Sequence, residues 1–311
     1  MTLKAYSVLN DYSNDASALL ATVGVEVTLA DSAERPNENE LIDLVQRYDI
    51  LIIGAKEKMT PRVFQACTRT KIVGTLSVGI DHICEDFLSS DTVKVLNCPT
   101  SNTISVAEHT YALLLALKKK IIEASKCSVN GTGRNGVKGL PRDISGLCLG
   151  VIGAGRIATE VIRIAQPFGM QVICSTRNQH SHSNLLQYGV RFVGLDELLS
   201  TSDIITIHLP LNEQTKNILN ASKIDLMKES VVFINTSRAE LVDIPYLLSR
   251  VEENPKFLVG MDIDIDEYQR LLSVERDNLI VTPHIAGISL DAIIRMDYDL
   301  ANSLVNFIRG W

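Results

Sequence analysis

Residues 147–178, LCLGVIGAGRIATEVIRIAQPFGMQVICSTRN, read as strand, glycine turn, helix and strand. The apolar run Leu147 to Ile152 enters Gly153-Ala154-Gly155-Arg156-Ile157-Ala158. Ile157, Val161, Ile164, Ala165 and Phe168 then recur at helical spacing, before Gln171 to Cys174 extends again. A glycine string of this kind carries weight only in such a context, after a buried strand and opening a helix. Gly153 is expected to make the tight turn. Gly155, lacking a Cβ, would let the main chain approach a pyrophosphate whose charge suits the helix N-terminus. Ala158 takes the third position, where a small residue suffices for close packing of helix on strand. The unit is read as a dinucleotide-binding βαβ, with Gly153, Gly155, Arg156 and Ile157 at the phosphates.

The same chain contains a control. Gly131-Thr132-Gly133-Arg134-Asn135-Gly136 matches the full three-glycine string more literally. No apolar strand precedes it and no helix pattern follows, so it is read as a loop.

The second strand of the unit ends in Ser175-Thr176-Arg177, where a carboxylate would meet the ribose of NAD. Two hydroxyls and a guanidinium suit a 2′-phosphate instead, because Arg177 can pair with it through two hydrogen bonds and nothing anionic repels it. NADP(H) is therefore favoured over NAD(H). The competing reading is a solvated loop arginine.

Outward from this unit, apolar runs and helical patterns alternate on both sides, which argues for parallel sheets covered by helices. Before it come AYSVLN, VEVTLA, ILIIGA, KIVGTL and VKVLN. After it come VRFVG, DIITIHLP, VVFINTS, KFLVGMDI and NLIVTPH. Thr103 to Lys126 is read as one long helix crossing between domains, and Ser289 to Arg309 as a terminal helix. The expected fold is α/β, with two doubly wound parallel-sheet domains. A smaller flavodoxin-like substrate domain takes residues 1–100 and 287–311, and a Rossmann dinucleotide-binding domain takes 101–286. A cleft that closes on cofactor binding would follow.

Composition sets outer bounds. The chain has 311 residues, 46% hydrophobic and 22% charged, with net charge −7 and pI near 5.4. No basic stripe longer than Lys118-Lys119-Lys120 exists, so a nucleic-acid surface is not expected. Six cysteines fall without metal-like spacing and are read as reduced core thiols. No secretory or membrane-length apolar run is found, so a cytoplasmic protein is the default expectation, without membrane partners.

Four stations downstream carry chemistry: His208-Leu-Pro210-Leu-Asn-Glu-Gln-Thr215, Ile234-Asn235-Thr236-Ser237-Arg238, Gly260-Met261-Asp262 with Glu267, and Thr282-Pro283-His284-Ile285-Ala286-Gly287. With Ser77-Val78-Gly79-Ile80-Asp81 and Val106-Ala107-Glu108-His109 upstream, they resemble the D-isomer-specific 2-hydroxyacid dehydrogenases over nearly the whole chain. The resemblance implies hydride transfer between a nicotinamide cofactor and a 2-oxo or D-2-hydroxy acid, in a homodimer. It implies catalytic roles for Arg238, which orients the substrate, for His284 as proton donor and acceptor, and for Glu267 as the acid partner of His284. It further implies cofactor contacts at His208, Pro210, Thr215, Thr236 and Asp262.

The chemistry agrees with these roles. A planar guanidinium grips a carboxylate and stabilises a developing alkoxide. Imidazole titrates near neutral pH, and a hydrogen-bonded carboxylate would hold its orientation. Val78 and Gly79 could offer backbone N–H groups to the substrate carboxylate, and Lys56 could add charge.

The sequence also departs from the family. Ala239 stands where glycine is usual, Tyr268 where proline is usual, and an arginine common near Gly54 is missing. A family tryptophan before the nucleotide unit is absent as well. Tyr268 loosens the argument for Glu267 and leaves Asp266 as the fallback partner. The acidic run from Asp262 fails as a calcium loop, since Glu267 replaces the required glycine. His82 and His109 are read as structural, and His180 and His182 as solvated, with no metal. A second class of function, a nucleotide-sensing corepressor-like protein with little turnover, shares the same fold.

Overall fold

The computed structural model describes residues 2–263 and 276–310. They form two compact units, Met1–Asn102 with Ile288–Trp311, and Thr103–Gly287. Both are α/β units built on parallel sheets.

The first unit carries strands β1 (Leu3–Ser7), β2 (Val25–Leu29), β3 (Ile50–Ile53), β4 (Ile72–Thr75) and β5 (Lys94–Leu96), in the order β2-β1-β3-β4-β5. Every residue of β3 and β4 is buried, as expected for strands covered on both faces. The helix Leu290–Arg309 returns to this unit and buries Met296, Leu300 and Leu304 in its core. Full burial of one such leucine contributes about 2 kcal/mol. Gly74 in β4 admits the helix, because a Cβ there would lie 3.1 Å from Leu300.

The second unit carries β6 (Cys148–Ile152), β7 (Gln171–Ser175), β8 (Arg191–Phe192), β9 (Ile204–Ile207), β10 (Val232–Asn235), β11 (Leu258–Asp262) and β12 (Leu279–Thr282), in the order β12-β11-β10-β9-β6-β7-β8. The strand order reverses between β6 and β9. In such sheets ligands bind beyond the carboxyl ends of the strands at this reversal. The glycine turn follows β6 and His208 follows β9, so the fingerprint lies at that point. The rejected control Gly133–Gly136 is a 3-10 turn, away from any strand end.

The expected single helix over Thr103 to Lys126 is two helices, Thr103–Lys118 and Ile121–Val129, broken at Lys120. Lys120 is left-handed, with φ 53°. The reason is burial. Leu117 is the last core residue of the first helix and the second helix has none, so nothing holds the chain on one axis. All six cysteines are free thiols. Cys98 and Cys174 are core residues, and burial pushes both thiols up to about 12. The other four are half-buried, which corrects the expectation of core thiols at those positions. No helix among the described residues is long and apolar enough to cross a membrane.

Candidate active site

The glycine turn fits a dinucleotide. Gly153 has φ +99°, and a Cβ there would lie 2.6 Å from the carbonyl oxygen of His208, so the close approach of β6 and β9 demands glycine. Gly155 is the N-cap of the helix Arg156–Ala165 and has no side chain to cap it. A Cβ on Gly155 would meet nothing within 4 Å. The protein does not need glycine there for its own packing, and a helix N-terminus without a side-chain cap favours an anion. Ala158 is fully buried against the strand, as the spacing predicts.

His208 is buried beside this turn, and burial pushes its imidazole down to about 3. It is neutral, with Nε2 3.0 Å from Thr206 Oγ1, while Nδ1 has no partner among the described residues. An orphaned buried nitrogen costs about 1–3 kcal/mol unless a ligand satisfies it. Thr215 is used differently. Its hydroxyl donates to the carbonyl of Pro210 at 2.6 Å and accepts from the Asn212 N–H at 2.9 Å, closing its own loop. Ser175 and Thr176 are half-buried at the end of β7, and exposed Arg177 donates to Gln214 Oε1 of that loop.

Arg238 follows β10 in a turn tied by buried Asn235, whose Nδ2 donates to the Arg238 carbonyl at 2.8 Å and whose Oδ1 accepts the Ser237 N–H at 2.9 Å. The Ser237 hydroxyl donates to the Ile207 carbonyl of β9. Half-buried Arg238 is thus delivered by a rigid turn at the carboxyl edge of the sheet. Ala239, one of the departures from the family pattern, is buried in the core beneath it.

His284 follows β12, two strands from β10. At about 4.8 Å per strand, the two turns leave the sheet about 10 Å apart. His284 has φ +54°, a left-handed backbone that is uncommon outside glycine and costs about 1–3 kcal/mol. Fully buried Asp262 offsets that cost. It accepts the Thr282 hydroxyl at 2.5 Å and the Ile285 N–H at 2.8 Å on Oδ1, and the Ala286 N–H at 2.7 Å on Oδ2. Bonds to a charged acceptor are worth about 1.5–3 kcal/mol each, so three outweigh one strained residue.

The helix Thr103–Lys118 grips both turns. Ser105 donates to the Ala286 carbonyl at 2.7 Å, His109 Nε2 lies 2.9 Å from Thr282 Oγ1, and Thr110 Oγ1 lies 3.1 Å from Thr236 Oγ1. Because the Thr282 hydroxyl already donates to Asp262, His109 Nε2 must be the donor to it. Nothing in the sequence assigned these contacts. The one visible trace is Ser105, His109 and Thr110 at i, i+4 and i+5 of an otherwise apolar helix. Glu267, with Asp266 and Tyr268, lies outside the described residues.

In the first unit, Val78 and Gly79 follow β4. Asn97 Nδ2 donates to the Val78 carbonyl at 2.9 Å and the Ser77 hydroxyl to the Gly79 carbonyl at 2.6 Å. The N–H groups of Val78 and Gly79 have no partner among the described residues, so the turn presents two donors with its acceptors tied back. Lys56, on the loop after β3, is exposed. Among the described residues no three metal-ligating side chains cluster.

Residues 111–286, more than half of the chain, match the family model described as the NAD-binding domain of D-isomer specific 2-hydroxyacid dehydrogenases. The chain belongs to that family. The D-3-phosphoglycerate dehydrogenase of Archaeoglobus fulgidus is 30% identical over 97% of this chain, which spans 57% of that protein. The chain spans about half the length of the first curated relatives it matches. A solved D-lactate dehydrogenase of Aquifex aeolicus, complexed with NAD and lactic acid, is 28% identical with TM-score 0.82, covering 99% of this chain and 96% of that one. An acyclic imino acid reductase complexed with NADPH and D-Arg is 27% identical with TM-score 0.85, covering 99% and 98%. The matched span, residues 111–286, includes the glycine turn and the uncapped helix end at Gly155.

Proposed function

We propose that this dehydrogenase moves hydride between NADP(H) and a small 2-oxo acid or its D-2-hydroxy acid. The bound nicotinamide supplies or accepts the hydride. Arg238 orients the acid, pairing with its carboxylate and stabilising negative charge on the carbonyl oxygen as carbon is reduced. His284 gives that oxygen its proton and, in the oxidative direction, takes the hydroxyl proton back. Glu267 is assigned as the carboxylate partner of His284. In the first unit, the two presented N–H groups of Val78 and Gly79, with the charge of Lys56, form a carboxylate-binding element.

The observation that carries this reading is the His284 turn, which holds a titratable side chain on a strained backbone by spending a buried carboxylate on it. Preference for NADP(H) is supported by Ser175, Thr176 and Arg177. Arg177 donates to a neutral glutamine, Gln214, and among the described residues it forms no ion pair with a carboxylate. A homodimer is supported by the helix Ile121–Val129, which buries no residue and exposes Ile121 and Val129, as does Leu140 nearby.

The test is a substrate panel of glyoxylate, hydroxypyruvate, pyruvate and phenylpyruvate, each run with NADPH and with NADH. Turnover with NADPH preferred is the expected result. Tight nucleotide binding without turnover on any acid would favour a nucleotide-sensing protein instead.

A further inference from the structure

The strand order of the first unit reverses between β1 and β3, so the loop after β3 occupies the ligand-binding position of that sheet. Gly54 begins this loop. The point where its Cβ would sit is already crowded, 3.1 Å from Glu57 Oε2 and 3.5 Å from Arg35 Nη1. Glu57 is what crowds that point, and a guanidinium from the polar loop before residue 37 borders it at ordinary contact distance.

Its placement is fixed by a buried carboxylate. Glu57 is 2% exposed; Oε2 accepts the Gly54 N–H at 2.7 Å and Oε1 accepts Arg35 Nη1 at 3.3 Å. A carboxylate is almost never fully buried unless paired, and Arg35 with the Gly54 N–H supplies that pairing. Glu57 is in contact with one edge of a guanidinium that has five N–H donors, and the Arg35 side chain is 43% exposed. Among the described residues, Arg35 has no other ion-pair partner.

The same hydrogen-bonded chain reaches the Val78–Gly79 turn. Ser77 donates to the Gly79 carbonyl at 2.6 Å, and its oxygen lies 2.8 Å from Thr75 Oγ1, whose single hydrogen is shared between Ser77 Oγ and the Gly54 carbonyl at 3.2 Å. The two elements therefore leave adjacent strands, β3 and β4, about 4.8 Å apart. The Val78–Gly79 turn presents two N–H donors, and beside Gly54 the loop after β2 brings in the half-exposed guanidinium of Arg35.

We propose that Arg35, aimed by Glu57, determines substrate specificity by binding a second anionic group. The favoured substrates are 2-oxo acids that carry a carboxylate or phosphate at the end remote from C1, whose own carboxylate lies on Val78 and Gly79. This rests on the dehydrogenase reading above. A planar fork with free donors recognises either anion, while Lys56 adds unspecific charge.

Paired substrates test it: oxaloacetate against pyruvate for a carboxylate, and phosphohydroxypyruvate against hydroxypyruvate for a phosphate. The wild-type protein is expected to prefer the dianionic member of at least one pair by about tenfold or more in kcat/KM. Arg35→Met should lower kcat/KM for that member by about 30-fold, mainly through KM, and for its monoanionic partner by about threefold at most. Arg35→Lys should fall between. Equal losses on both members, or no preference in the wild type, would overturn the proposal. Calorimetric titration without cofactor, using D-malate against D-lactate and D-3-phosphoglycerate against D-glycerate, needs no turnover. Discrimination that Arg35→Met abolishes, in a protein with no turnover, would refute the dehydrogenase reading and keep this one. Turnover without discrimination would do the reverse.

Discussion

Two turns at the carboxyl edge of the same seven-stranded sheet are built in opposite ways. The Gly153–Arg156 turn is bare: no side chain caps the helix it opens, and the space beside Gly155 is empty. The Thr282–Ala286 turn is crowded with bonds, its hydroxyl and two of its N–H groups spent on Asp262 and its far carbonyl held by Ser105. A turn that binds leaves donors for a ligand to complete. A turn that must present one acting side chain completes itself and accepts a strained backbone at His284 in exchange.

If the contrast is right, changes to the crowded turn should damage chemistry and spare nucleotide affinity. The largest effect is expected from His284→Ala, with kcat down about a hundredfold or more and the Kd for NADPH within about twofold, measured by steady-state kinetics and fluorescence titration. Equal losses in both would erase the distinction. Asp262→Asn keeps the size of the side chain but leaves an amide hydrogen facing an N–H that a carboxylate oxygen now accepts. Looser positioning of His284 should lower kcat by about 30-fold, again with little change in nucleotide binding.

The bare turn should respond in the opposite sense. Gly155→Val meets no neighbouring atom, so its stability cost should be limited to that of a poorer N-cap residue, about 1 kcal/mol. Its side chain enters the space assigned to phosphate, and NADPH affinity should fall about tenfold or more by titration calorimetry. Unchanged affinity would mean that the empty space has another purpose.

The smallest effect sharpens the comparison with a carboxylate that has fewer partners than Asp262. Asp297, on the terminal helix, accepts the Ser13 N–H at 3.0 Å. Burial, with Asp11 nearby, raises its carboxyl to about 6. The unfolded value is near 3.9, so the folded state binds this proton more tightly. Its contribution to stability is therefore greatest below about pH 4 and is lost as pH rises through about 6. Asp297→Asn should gain about 1–2 kcal/mol at pH 8 and almost nothing at pH 4 in urea unfolding. The same gain at both values would contradict the burial argument.

Much of this was legible in the sequence, and the exceptions are instructive. Near-continuous apolar runs announced β3, β9 and β10, because a parallel strand covered on both faces has no polar side to show. The glycine turn was legible because it needs residue types that little else requires. The break at Lys120 was not, because no glycine or proline marks it and the cause is loss of burial beyond Leu117. Ser105, His109 and Thr110 were invisible because their partners lie at Ala286, Thr282 and Thr236, far along the chain. Arg35 was hidden more deeply, in a patternless loop 19 residues before the glycine it packs beside.

The central claim is that one guanidinium and one imidazole, delivered by turns two strands apart on one sheet edge, act together in the reduction of a 2-oxo acid by bound NADPH. Its most direct test is a single turnover: the NADPH-loaded wild type, Arg238→Met and His284→Ala are each mixed with hydroxypyruvate, and loss of the reduced nicotinamide absorbance is followed. The account predicts complete oxidation of bound NADPH in the wild type and slowing of about a hundredfold or more in both variants. Oxidation at the wild-type rate in either variant would contradict it.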